Sequence, residues 1–157
     1  MANRDGSSDV ESAVRGLYDA MLDAWNARDA RSIAELYADE GNIVGFDGSQ
    51  MVGRAEIESV LSRIFKDHPT GRFIGIVRDV WFLTPEVAVV RAVAGMVPAG
   101  QSDIKPEINA VQTLVAAMRD ARWRIAVFQN TPAAFHGRPE AGAALTKELR
   151  EALASGG

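Results

Sequence analysis

From Arg72 to Asn130 the chain is dominated by Val, Ile, Phe and Trp, and turn-forming residues cut that stretch into four. Arg72 to Leu83 and Val87 to Val97 flank Thr84-Pro85-Glu86, and Glu107 to Met118 and Trp123 to Asn130 flank Asp120-Ala121. A loop from Val97 to Asp103 separates the two pairs. β-Branched and aromatic runs bounded by such residues read as strands, and successive strands on short turns make an antiparallel meander.

The preceding half has a helical period. Val10, Val14, Leu17, Met21 and Trp25 recur along one stripe, widened by Tyr18 and Leu22. Asn26-Ala27-Arg28-Asp29 ends that helix, and Asp29 is placed to N-cap a second one. Ile33, Leu36 and Tyr37 give the second helix its buried side, and Ala38-Asp39-Glu40-Gly41 closes it. Asn42 to Phe46 reads as a short strand running into an Asp47-Gly48 turn. After Gly53, the residues Ile57, Val60, Leu61, Ile64 and Phe65 mark a third helix, stopped at His68-Pro69. Leu145, Leu149 and Leu153 mark a last helix from about Glu140 to Leu153. Helices followed by a meander predict an α+β fold in which a curved antiparallel sheet wraps the N-terminal helices and encloses a hollow. At 157 residues one domain is expected, with residues 1–8 as a flexible arm, 9–135 as the domain and 136–157 as a helical extension.

Composition narrows the function. There is no Cys, which removes disulfides, thiol catalysis and iron–sulfur ligation. Seventeen Lys and Arg against 21 Asp and Glu leave a net charge of −4, which argues against nucleic acid as partner. No apolar run approaches the ~20 residues of a membrane span, and the start lacks a signal-peptide core. These features fit a cytoplasmic protein. Two distant His without Cys predict no metal site, and the glycines near Gly45 do not sit at a strand-to-helix junction, so no nucleotide fingerprint is met.

The meander carries register arithmetic. A two-residue turn at Asp120-Ala121 sets Met118 opposite Trp123, Ala116 opposite Ile125, Leu114 opposite Val127 and Gln112 opposite Gln129, all on one face. The two glutamines are either a cross-strand amide pair or a polar handle in an apolar pocket. The other face is also largely apolar. Helices can cover one face and a second copy of the chain the other, so a homodimer through the sheet is expected. Two registers are open at Thr84-Pro85-Glu86. The favoured one sets Trp81 opposite Val89 and Asp79 opposite Arg91, pairing opposite charges. That pair is either a structural contact or an acid and an anion-binding group in a cavity.

Asn26-Ala27-Arg28-Asp29, Ile33, Leu36-Tyr37-Ala38-Asp39 and Gly53-Arg54-Ala55-Glu56-Ile57 resemble the start of a nuclear-transport-factor-2-like domain. Arg122-Trp123-Arg124-Ile125-Ala126 with Phe128-Gln129-Asn130-Thr131 resembles its final strand. This superfamily includes the SnoaL-like polyketide cyclases and the ketosteroid isomerases, and the closing pattern is most similar to the SgcJ/EcaC-type subgroup of bacterial natural-product gene clusters. The resemblance spans residues 9–135. It implies a conical pocket, commonly a homodimer, and a hydrophobic, polyketide-like ligand in natural-product (enediyne-type) biosynthesis. Aligned on these motifs, Met21 falls where the isomerase has its oxyanion-stabilising Tyr, and Gly45 where it has its general-base Asp. A thioether donates no hydrogen bond and Gly carries no base, so the isomerase mechanism is not expected.

An apolar pocket remains. Its expected lining is Met21, Trp25, Tyr37, Phe46, Met51, Ile57, Phe65, Trp81 and Met96, with Gln112 and Gln129 as polar handles. Cofactor-free acid–base chemistry would fall to Asp79 as base, with Arg91 or a glutamine stabilising an enolate. The alternatives are a carrier that only holds its ligand, or a dimeric interaction module.

Overall fold

The computed structural model describes residues 4–156. Three helices come first, α1 (Arg4–Asn26), α2 (Ala30–Glu35) and α3 (Arg54–Asp67), with β1 (Tyr37–Val44) and β2 (Gln50–Val52) between the last two. The meander follows as β3 (Arg72–Thr84), β4 (Val87–Val97), β5 (Ala110–Arg119) and β6 (Arg122–Pro132), and α4 (Pro139–Ala154) closes the chain. Of the expected arm, residues 1–3 lie outside the described residues and helix begins at Arg4.

Asp29 caps α2 as its sequence suggests, accepting from the Ser32 N–H at 3.1 Å. The second helix is shorter than its apolar spacing implies. Leu36 is its C-cap, and Tyr37 to Gly41, read as the helix end, are already strand. The guanidinium of Arg54 accounts for the switch. Its Nε and Nη2 donate to the Tyr37 carbonyl at 3.0 and 2.6 Å, while Nη1 meets Asp39 at 2.9 Å. The Tyr37 carbonyl thereby finds its partner outside any helix.

One curved sheet contains all six strands in the order β2-β1-β6-β5-β4-β3. Its pairs are antiparallel except β1 with β6, which run parallel. Both hairpin turns of the meander sit where expected. At the β5–β6 turn Asp120 and Ala121 both have positive φ, 51° and 62°, the left-handed pair whose twist suits a two-residue hairpin.

Registers decide which residues face inward. Asp79 stands opposite Arg91 and Trp81 opposite Val89, as expected. Between β5 and β6 the expected register holds from the turn to Ala116–Ile125 and then slips by one at Ala126. Gln112 is therefore opposite Asn130, and Gln129 is opposite Thr113 on the other face. A β-bulge sets two residues against one, and the alternation of side chains restarts beyond it.

The two faces of the sheet are covered differently. The inner face packs on α1, α2 and α3, with Tyr18, Tyr37, Ile57, Leu61, Leu114 and Ile125 fully buried. The outer face is covered over β3 and β4 by α4, whose Leu145 and Leu149 pack on Ile74, Val93, Val97 and Ile104. This gives the C-terminal helix its purpose, which the sequence left unexplained. Arg78 on β3 binds Glu148, and Arg150 binds Asp103 at 2.9 and 3.1 Å, so an ion pair flanks Leu149 on either side.

Candidate functional site

A cavity of about 400 Å³ lies between the inner face and the three helices. α1 reaches it with Met21, Leu22 and Trp25, α3 with Val60, Leu61 and Ile64, and the sheet with Phe73, Met96, Gln112, Phe128 and Asn130. The β1–β2 turn supplies Phe46, Asp47 and Ser49 around the mouth, and β2 adds Gln50 and Met51. The cavity exists because α1 sits tightly on small residues and the sheet curves away beyond them. A Cβ on Gly75 would collide with the Tyr18 hydroxyl and lie 2.6 Å from Leu22 Cδ1. Ala94 and Ala110 continue that small-residue row across β4 and β5.

The polar edges of the aromatic walls are already committed. Trp25 Nε1 donates to the Gly71 carbonyl at 3.0 Å, and its ring meets Phe65 and Phe73 edge-on, with centroids 5.0 and 5.4 Å away. The Tyr37 hydroxyl points at Met21 Sδ, 3.4 Å away, and complete burial raises its pKa above the tyrosine range. At the inner wall the Tyr18 hydroxyl donates to Gln112 Oε1 at 2.6 Å, and Gln112 Nε2 donates to Asn130 Oδ1 at 3.2 Å. Burial, then the negative charge of Asp19, pushes the Tyr18 pKa up as well. Asp47 is the one carboxylate in the lining. It is exposed, and hydrogen bonds from Ser49, backbone first, hold its pKa below the usual carboxylate value.

Of the expected lining, Met21, Trp25, Tyr37, Phe46, Met51, Met96 and Gln112 all border the cavity. Ile57 and Phe65 do not: both are core, and Phe65 reaches the cavity wall only by supporting Trp25. Trp81, Asp79, Arg91 and Gln129 are corrections of another kind. The pairings Asp79–Arg91, Arg91–Thr113 and Thr113–Gln129 bring three of them into one row, but on the outer face, away from the cavity. There the Arg91 guanidinium stacks on the Trp81 ring, 4.7 Å from its centroid. Asp79 and Arg91 therefore do no chemistry in the cavity. The lining residues missed from the sequence include Asn130, Phe128 and Phe73. Counting the extra residue at Ala126 would have found the first two.

Met21 and Gly45, which the resemblance sets at the acid–base positions of the isomerase, both line the cavity. Among the described residues no group of three or more His, Cys, Asp or Glu is arranged to hold a metal ion, and no helix is long and apolar enough to cross a membrane.

The sequence profile of the SnoaL-like domain matches residues 14–131, three quarters of the chain and all of the cavity. The chain belongs to the SnoaL-like domain family. Solved structures share the fold over most of its length. A domain of unknown function with a cystatin-like fold from Nostoc punctiforme is 24% identical with a TM-score of 0.76, over 92% of this chain and 94% of that one. A protein of unknown function from Mycobacterium tuberculosis is 18% identical with a TM-score of 0.72, over 97% and 94%. A ketosteroid isomerase-like protein from Erwinia carotovora is 17% identical with a TM-score of 0.62, over 78% and 95%. No curated protein is significantly similar to the chain.

Proposed function

We propose that this SnoaL-like chain binds a hydrophobic, polyketide-like small molecule in its cavity, in bacterial natural-product metabolism of the kind served by the SgcJ/EcaC-type subgroup. The carrying observation is the cavity itself. Its about 400 Å³ falls within the range of small-molecule sites, and its walls are aliphatic, methionine and aromatic side chains, with amides at the inner wall and polar residues at the mouth. Holding the ligand is favoured over turning it over. The lining carboxylate, Asp47, is water-exposed with a lowered pKa, which makes it a weak base. Its place at the mouth is the one feature that supports cofactor-free acid–base chemistry as a second reading.

Displacement of a fluorescent apolar probe tests the reading. Val60→Trp, which plugs the cavity, should abolish probe binding, whereas Val111→Trp on the outer face should leave it unchanged. Binding that survives the plug would overturn the proposal.

The outer face supports a homodimer. Trp81, Leu83 and Val111 remain exposed there beside the row Asp79, Arg91, Thr113 and Gln129. A row with an acid at one end and a base within it is self-complementary about a two-fold axis.

A further inference from the structure

The inner wall carries three side chains whose hydrogen bonds run in a fixed direction. Tyr18 donates to Gln112, and Gln112 donates to Asn130. Amides can be turned end for end, so the direction needs a physical reason. Tyr18 supplies it. The residue is 1% exposed, its hydroxyl is pressed against Gly75, and a buried hydroxyl must place its proton on an acceptor. Among the described residues Gln112 Oε1 is the acceptor it reaches. With Gln112 turned round, an N–H would face the phenol and the phenolic proton would be stranded. Burial, which raises the Tyr18 pKa, favours the protonated hydroxyl that makes this bond.

The consequence passes down the chain of amides. Gln112 Oε1 is taken, so Nε2 must face Asn130, and Asn130 must turn its Oδ1 to receive it. Its remaining group is an NH2. Gln112 is itself 2% exposed, with its oxygen taken by Tyr18 and its amide turned to Asn130, whereas Asn130 is half-buried and borders the cavity. Asn130 Nδ2 has no protein partner among the described residues, and it is not one of the polar atoms sealed from solvent. Among the described residues no Lys or Arg lines the cavity.

We propose that the Asn130 side-chain N–H anchors the ligand, that the ligand is an uncharged, flat carbonyl compound whose oxygen accepts this bond, and that Tyr18 and Gln112 are positioning residues. The proposal rests on the reading that the cavity holds an apolar molecule. A carboxylate would lose its hydration here with no cation to replace it, and an ammonium would meet a donor. A carbonyl on an apolar ring system satisfies both the amide and the walls.

Fluorenone and fluorene share one ring skeleton and differ at the carbonyl, so they separate the anchor from the hollow. Isothermal titration of each into wild type, Asn130→Ala and Tyr18→Phe gives the comparison. Asn130→Ala should weaken fluorenone about five- to tenfold, the worth of one hydrogen bond, and change fluorene less than about twofold. Tyr18→Phe, which frees Gln112 to turn, should weaken fluorenone severalfold and leave fluorene alone. The carbonyl stretch of bound fluorenone should be lowered in wild type and return toward its value in apolar solvent in Asn130→Ala. Equal losses for both compounds, or an unshifted stretch in wild type, would overturn the anchor while the cavity reading stands. Failure of wild type to bind either compound would overturn both.

Discussion

The two faces of the sheet are made from the same four long strands, yet one encloses space and the other offers a surface. On the inner face Gly75, Ala94 and Ala110 form one row, with Tyr18 and Leu22 of α1 packed on Gly75, while the larger Phe73, Met96 and Phe128 line the cavity. The outer face mixes Val, Ile and Trp with the polar row Asp79, Arg91, Thr113 and Gln129, and α4 covers its β3–β4 part while Trp81 and Val111 stay exposed. Apolar content is therefore a poor guide to which face holds a ligand. The distribution of side-chain volume along the strands is the better one, because small residues let a helix settle and the curvature beyond them opens the hollow.

That contrast can be broken most forcefully at its small-residue row. Gly75→Val should drive α1 off the sheet and cost about 3 kcal/mol, with loss of probe binding, whereas the same change at an exposed outer position should cost next to nothing. Urea unfolding with a probe titration measures both. Next in size, Leu114→Ala on the inner face should cost about 3 kcal/mol, and Val111→Ala, one strand position set on the outer face, about 0.5 or less. Near-equal losses would mean that the outer face is as tightly packed as the inner. Third, Val111→Asp should shift sedimentation from dimer to monomer without changing affinity for an apolar probe, and a change in both would tie the faces together.

The smallest effect concerns the edge where α4 grips the outer face. Arg78 lowers the pKa of Glu148 and Arg150 lowers that of Asp103, in each case first through the hydrogen bond to the carboxylate. A carboxyl with a lowered folded-state pKa lends stability above its unfolded value, near pH 4–5, and withdraws it as the pH falls through the folded value. Hydrogen-exchange protection in α4, taken relative to the intrinsic rate at each pH, should therefore fall below about pH 4 before protection in β5 does. Both pairs are largely exposed, so the effect is small and should shrink further in salt.

The element order, the helical stripe of α1, both hairpin turns and the pairing of Asp79 with Arg91 were legible because they depend on neighbours in sequence. What failed depends on distant partners. Tyr37 continues an apolar helical spacing, and only the Arg54 guanidinium and the parallel pairing with β6 make it strand. Gln129 was exchanged for Asn130 because period-two counting assumes an unbroken pleat, and Ala126 breaks it without any Gly or Pro to announce the bulge. Asp79, Arg91 and Trp81 were correctly placed beside one another, but a register cannot reveal which side of a sheet will close over helices.

One missing side chain governs how deep the molecule is. Gly75 does not line the cavity, yet it is the fulcrum on which Tyr18 and Leu22 rest, and the same helix carries Met21 and Trp25 one turn further on. A methyl group added there would tilt that lever and reshape the chamber from behind. The chamber can in this way be reshaped without altering any residue that lines it.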